Sequence, residues 1–323
     1  MKNIKTYIVI VLASLLTLSC YKEDPIIPST SEGSERFTFP QGNSDFDLEA
    51  ARINEQFGVK IIYKDFKNVD FNLSWTSPGF GKVGYAIPQD QQKEAVMFAV
   101  DQIFGNLTPQ ITKKVLPPYF YLADSIYQKT VVGYLEYISA TTYNYAGLDF
   151  WCFTWNGVRP WTKNNNDGTI SYSSQVYRPR NSFEYFYRRG VMLKEIYKKA
   201  VTMGNIKVPE GFSSDLDFVT AVKSATGTEN DPNYYLKRGF PGIMNSALNF
   251  NLSKLSSISS TGPTQIFIDY IHLCMRYSAD SIEILCPKAK YPIIHQKYPI
   301  VINYMKDKYG VDLEKISKKP QIP

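Results

Sequence analysis

Histidine is almost missing from this chain: of 323 residues only His272 and His295 carry an imidazole, and neither stands in a recognisable ligand pattern. Cysteine is scarce as well. The four cysteines, Cys20, Cys152, Cys274 and Cys286, include no close-spaced pair, so the short spacings of a zinc cage are absent. Charge of one sign is not concentrated anywhere. The net charge of +6 is spread through mixed runs such as Lys194-Glu195 and Lys306-Asp307-Lys308, which excludes the basic stripe of a nucleic-acid binder. Beyond residue 18 no apolar run is long enough to span a bilayer, and no internal repeat of about 20 to 50 residues is present. Aromatics, by contrast, are plentiful: 24 Tyr and 19 Phe accompany an ordinary globular balance of 44% hydrophobic and 20% charged residues. Such rings serve as core packing or as exposed faces for sugars and peptides.

The first residues describe export. Met1-Lys2-Asn3-Ile4-Lys5 is a basic start, Tyr7 to Leu18 an apolar core, and Ser19 a small residue before Cys20. This resembles a bacterial lipoprotein signal, with 1–19 removed and Cys20 acylated as the first mature residue, although Leu18 stands where the common pattern has a small side chain. Lys22-Glu23-Asp24 resembles the Lys-acid-acid signal that sends Bacteroidota-type lipoproteins to the outer face of the outer membrane. Residues 20–36 hold Pro, Ser and Thr with too little apolar surface to fold, so they read as a lipidated flexible tether.

The rest alternates between strand and helix signals. Asp45 to Gly58 has helical apolar spacing and runs into a strand at Val59–Tyr63. Pro88 opens an amphipathic helix to Leu107, with Ala95, Val96, Ala99, Val100 and Ile103 on one face. Pro117 to Asp149 is rich in Tyr, Val, Ile and Thr and reads as sheet, continued by Phe150–Trp155; Asn164–Gly168 reads as a turn. After a cap at Asn181-Ser182 the spacing predicts helices over Phe183–Met203, Asp215–Ala225, Pro263–Ser278 and Pro299–Tyr309. The fold class is therefore α+β: an αβ half over 37–180 packed on a mainly helical half over 181–323, the two forming one compact unit. Cys274 and Cys286 are spaced to allow one disulfide, leaving Cys152 as a buried thiol.

Two segments carry a family resemblance. "LEAARINEQFGVKIIY" (48–63) is similar to the opening helix and strand, and "KYPIVINYMKDKYGVDLEKI" (297–316) to the closing helix and tail, of the zinc metallohydrolase lipoproteins associated with substrate import in Bacteroidota-type bacteria. Leu116-Pro117-Pro118 through Tyr121 sits where that family brings its sheet toward the catalytic helix. The resemblance implies a zincin-like fold. It also implies a partner, a TonB-dependent transporter with its binding lipoprotein; the signal adds the outer-membrane lipid through Cys20, and the aromatic residues add a peptide or glycan ligand. The family's His-Glu-x-x-His places two ligands one helical turn apart with a Glu to activate water. The corresponding helix here, "FEYFYRRGVMLKEIYKKAVTM" (183–203), has no histidine. Arg188 and Arg189 stand near the position of the first ligand, and a guanidinium has no lone pair to donate. No metal or other cofactor is expected.

Among the remaining candidates, Asp269, His272 and Arg276 follow at spacings of three and four and form a polar stripe, with a hydrogen-bonded structural histidine the plainest role for His272. His295, between Pro292 and Pro299, reads as part of a surface loop. Glu184 and Glu195 read as a solvated helix face, with Glu195 and Lys199 as an i,i+4 pair. Trp151, Phe153 and Trp155 alternate and read as core, whereas Trp161 and Arg159, beside a polar loop, are the candidate ligand platform. Three roles are open to such a chain: a non-catalytic metallopeptidase-like accessory of an outer-membrane nutrient-uptake system, a zinc hydrolase with a rebuilt site, and a purely structural surface lipoprotein. The anchor is testable by itself. Cys20→Ala is expected to lose incorporation of a fatty-acid analogue and to leave the membrane fraction; equal labelling of variant and wild type would refute the lipid anchor.

Overall fold

One strand organises the sheet of this computed structural model. It describes residues 36–72, 81–132, 135–140, 144–164, 170–177, 181–245, 251–259 and 261–321, with the backbone alone in the described parts of 129–145, 157–180 and 245–251. The chain divides into two compact units, Met1–Thr38 and Phe39–Pro323. Of the first, only Arg36–Thr38 are described, so the signal and Cys20 lie outside the described residues.

Helix α1 (Asp45–Phe57) starts at Ser44, whose backbone N–H donates to Asp47 Oδ2 at 2.9 Å, and ends at Gly58, which takes φ 69° as a left-handed cap. Asp47 is buried, and its second oxygen accepts from the Tyr63 hydroxyl at 2.6 Å, tying the start of α1 to the end of β1 (Lys60–Ile62). The long strand β3 (Tyr119–Val132) then serves four partners. Its first residues pair in parallel with β1 on one side and β6 (Phe150–Thr154) on the other; its later ones pair antiparallel with β2 (Lys82–Ala86) and β4 (Leu135–Ala140). The edge strand β5 (Asn144–Ala146) pairs antiparallel with β6, placing Ala146 opposite Trp151. A separate hairpin joins β7 (Gly157–Asn164) to β8 (Ile170–Tyr177), whose connection holds most of the turn read at Asn164–Gly168 and lies outside the described residues.

The sheet is covered on both faces, which accounts for much of the aromatic richness. On one face Phe120, Leu122, Phe153 and Trp155 join the main core. On the other, Tyr121 stacks on Phe150 at 4.5 Å, and Phe71, from the 3-10 turn Asn68–Asn72, meets both rings edge-on. Each such ring pair adds about 0.5–1.5 kcal/mol beyond its buried area. Gly84 of β2 packs so closely on the Phe71 ring that any Cβ there would collide with it.

The amphipathic segment is helical as expected, with all five face residues buried, but it is built of α2 (Gln92–Phe98) followed by a π turn over Ala99–Ile103 and a 3-10 turn over Phe104–Asn106. A short α3 (Pro109–Thr112) leads into β3. The C-terminal part is helical: α4 (Ser182–Thr202), α5 (Pro263–Arg276), α6 (Ala279–Leu285), α7 (Pro292–Tyr309) and α8 (Leu313–Ser317), with a small β9–β10 hairpin (Ile243–Asn245, Asn251–Ser253) between α4 and α5. This is an α+β fold.

Three expectations need correction. Asp215–Ala225 is not a helix. Asp215 is drawn to the buried Lys297 ammonium at 2.6 Å, Asp217 accepts from the Val219 and Thr220 amides, and Arg238 donates to the Asp217 carbonyl at 2.6 Å. Local side-chain bonds of this kind compete with the helical ladder. Residues 292–298 are not a loop. Pro292 sits in the first turn of α7, where its missing N–H is harmless, and Pro299 is carried inside the helix at the cost of one bond to the His295 carbonyl. Cys274 and Cys286 form no disulfide; they and Cys152 are buried free thiols, and Cys274 Sγ instead contacts the Tyr298 carbonyl at 3.8 Å.

Helix α4 is buried nearly all round, including its two arginines, at 1% exposure for Arg188 and 3% for Arg189. Arg188 Nε donates to the Trp155 carbonyl at 2.9 Å. Arg189 donates to Gln102 Oε1 and the Ile316 carbonyl, both at 2.7 Å, and to the Lys318 carbonyl at 2.5 Å. Burial lowers the Arg189 pKa to about 10, which still leaves it charged at neutral pH. Arg189→Ala strips three acceptors of their donor and is expected to destabilise the fold by about 2–4 kcal/mol in urea titrations. Limited proteolysis should first release the segment after α7, because that is where the lost bonds end. A change under about 0.5 kcal/mol would show that Arg189 does not hold the C-terminus.

Candidate functional site

Asn181 begins the construction of the site. Its side chain accepts from the Phe183 and Glu184 amides at 3.0 and 3.1 Å, which fixes where α4 starts and so which residues share each face. With Arg188 and Arg189 turned into the body, Met192, Glu195, Lys199 and Thr202 come together at spacings of three, seven and ten along one stripe, with Lys198 beside them. Across from this stripe stand Ala146 of β5 and Trp151 and Cys152 of β6. Between the two walls lies a pocket of about 340 Å³, near the lower end of the roughly 300–1,000 Å³ typical of small-molecule sites.

Its chemistry is set by one ring and three charges. Trp151 is half-buried and the Lys199 ammonium sits 4.9 Å from its ring centre, within cation–π range. This corrects two expectations. Trp151 does not share the full burial of Phe153 and Trp155, both at 0% exposure, because its indole forms a wall of the open pocket. Lys199 does not pair with Glu195, whose carboxylate lies 3.1 Å from Lys194 instead. Among the described residues no carboxylate lies within ion-pair distance of Lys198 or Lys199. Desolvation lowers the Lys199 pKa, so an arriving anion would favour its charged form. Cys152 is wholly buried, and desolvation drives its pKa far above the ordinary thiol value, so it offers no thiolate nucleophile.

The other candidates are distributed. Asp269 and His272 lie one turn apart on α5, both buried, but they bond outward to different groups. Asp269 Oδ1 accepts from Gln265 Nε2 at 2.8 Å, whereas His272 Nε2 donates to the Lys194 carbonyl at 3.2 Å. Arg276 turns away from both, its guanidinium 4.9–5.4 Å from the ring centres of Phe186, Tyr187 and Tyr277. His295 lies within α7, its Nε2 2.5 Å from the Cys286 carbonyl. Arg159 and Trp161 occupy β7, opposite Gln175 and Ser173 of β8, and their side chains lie outside the description. The zinc implied by the resemblance finds no matching donor set. Among the described residues no three His, Cys, Asp or Glu groups stand together to hold a metal, and the α4 positions in question present guanidinium groups already bonded to carbonyls. Trp151, Lys198 and Lys199 were missed as a site because strand alternation and an i,i+4 rule describe each element alone, not their meeting.

No known family model matches the chain, and no curated protein matches its sequence. Among solved structures it is similar to one described as a "putative zinc-binding metallo-peptidase" from Bacteroides caccae ATCC 43185, at 13% identity and a TM-score of 0.38, over 85% of this chain and 91% of that one. This is a distant likeness.

The buried pair on α5 makes a pH prediction. Desolvation raises Asp269 to about 7, against the pull of Gln265 and Lys198, and lowers His272 to about 3, helped by Lys194 and Lys198. Between about pH 4 and 7 the folded state holds an Asp269 proton that the unfolded chain has lost, so this group's contribution falls as pH rises. Between about pH 3 and 6.5 the unfolded chain holds a His272 proton that the folded state excludes, so that contribution rises with pH. Relative to wild type, Asp269→Asn should gain stability with rising pH, by at most about 1.4 kcal/mol per unit, while His272→Gln should be favoured only at acid pH. Urea titrations from pH 4 to 8 read both slopes. Parallel curves for all three proteins would show that neither group is shifted.

Proposed function

We propose that this chain is a lipid-anchored binding protein of the outer membrane, held through Cys20 and displayed on the cell exterior, serving a nutrient-uptake system as a non-catalytic accessory. A TonB-dependent transporter with its binding lipoprotein is the partner this reading assigns to it. The observation that carries the reading is the pocket between β6 and α4. Its indole, thioether and lysines stand on rigid elements and suit capture of a ligand. The acid and thiol groups there are otherwise engaged: Glu195 lies against Lys194, and Cys152 is held as a thiol by burial. His272 is fully buried on α5 and donates to a backbone carbonyl. The anchoring part rests on Ser19-Cys20 and Lys22-Glu23-Asp24.

Two measurements test the proposal. Protein purified without chelator should carry far less than one zinc per chain by elemental analysis and cleave no peptide; about one zinc per chain, lost together with peptidase activity in His272→Ala, would replace this reading with that of a zinc hydrolase. For display, Glu23→Ala with Asp24→Ala should keep the lipid but shield the folded part from protease added to intact cells. Unchanged cleavage would show that the acidic pair is only linker.

A further inference from the structure

The Trp151 pocket carries a sign that its role as a binding site leaves unspecified. Three charged side chains line it, Glu195, Lys198 and Lys199, and Lys194 reaches Glu195 from the buried side of the helix. Glu195 and Lys194 answer each other at 3.1 Å, so Lys198 and Lys199 decide the local field. Lys199 rests on the indole face rather than on a carboxylate. A cation in that position is partly desolvated and gains from a charge-assisted bond to an anion more than a fully hydrated lysine would. Met192, Ala146 and the indole itself give an apolar wall placed to take a flat body, with the Thr202 hydroxyl as the one other polar side chain of the lining.

We propose that the pocket binds a small organic carboxylate with a flat apolar body, the carboxylate on the Lys198 and Lys199 ammonium groups and the body between the Trp151 indole and the Met192 thioether. This rests on the pocket being a binding site, as proposed above, and adds the ligand's charge and shape. A neutral sugar would gain from the indole but would leave both ammonium groups without an anion. A cationic ligand would be repelled by the same lysines. Selectivity here is a difference between two affinities, and the lysine pair is the element that creates it.

The test uses the full chain in detergent and two probes of equal size, 4-phenylbutyrate and its neutral amide, titrated by calorimetry at low salt. Wild type is expected to bind the carboxylate about tenfold or more tightly than the amide, the scale of one charge-assisted hydrogen bond. Lys199→Met should fold normally and bind the acid more weakly, and Lys198→Met with Lys199→Met, which keeps both apolar stems, should bind both probes with equal, weak affinity. Trp151→Ala should bind neither. Equal affinity of wild type for acid and amide, or a preference that survives Lys198→Met with Lys199→Met, would overturn the ligand class while leaving the binding role standing. Neutral oligosaccharides binding at Trp151 more tightly than the acid would do the same. If no probe, acid, amide or oligosaccharide, binds in a Trp151-dependent way, both the ligand class and the binding role fall.

Discussion

The buried guanidinium groups of α4 are the constraint on which the rest of the structure depends. A helix covered on nearly every side cannot keep its cations in water, and burying a charge costs several kcal/mol unless hydrogen bonds replace the lost hydration. Here backbone carbonyls supply them: Trp155 at the end of β6 for Arg188, Ile316 and Lys318 beyond α7 for Arg189. Two cations on one helix turn thus bind the sheet margin and the C-terminal segment to the same element. The rotation of α4 about its axis follows from this, because turning it would leave both guanidinium groups unsolvated.

That rotation is what makes the pocket. With Arg188 and Arg189 committed inward, the stripe from Met192 to Thr202 must face Ala146 and Trp151. The second wall is set independently by the register of β5 on β6, which puts Ala146 opposite Trp151 at the sheet margin. Two rigid elements, each positioned by backbone hydrogen bonds, therefore meet at side chains that neither needs for its own folding. A site built this way is held by a strand and a helix.

Helix α5 behind it shows the same physics with opposite consequences. Asp269 and His272 are enclosed with few polar neighbours, and desolvation pushes each toward its neutral form. Near neutral pH His272 is an uncharged core group while Asp269, raised to about 7, is only partly ionised, and their hydrogen bonds run to different groups, Gln265 and the Lys194 carbonyl, so they do not form an acid–base pair. Lys198 lies close enough to influence both, so the charges at the pocket mouth and the protonation of this interior are electrostatically linked.

Much of this fold was legible in the order of residues, since local signals here agree with the tertiary outcome. Asn181 caps α4, Gly58 closes α1, the apolar face from Ala95 to Ile103 is buried, and β3, β4, β5 and β6 fall within the stretch read as sheet, giving α+β. Where local signals met a distant partner, the partner prevailed. The helical spacing after Asp215 lost to Lys297 and Arg238, and Pro299 was kept inside α7 by the packing of Tyr298, Val301 and Ile302 in the core. The sequence by itself determined the element types, because capping, periodicity and turn chemistry act over a few residues. Only the tertiary structure decided that Lys199 leaves Glu195 for an indole 48 positions earlier in the chain, that Arg188 and Arg189 face inward, and that these choices open a pocket. The reason is that burial and electrostatic pairing are summed over everything a side chain meets in space, and those neighbours come from strands and helices that sequence spacing does not relate.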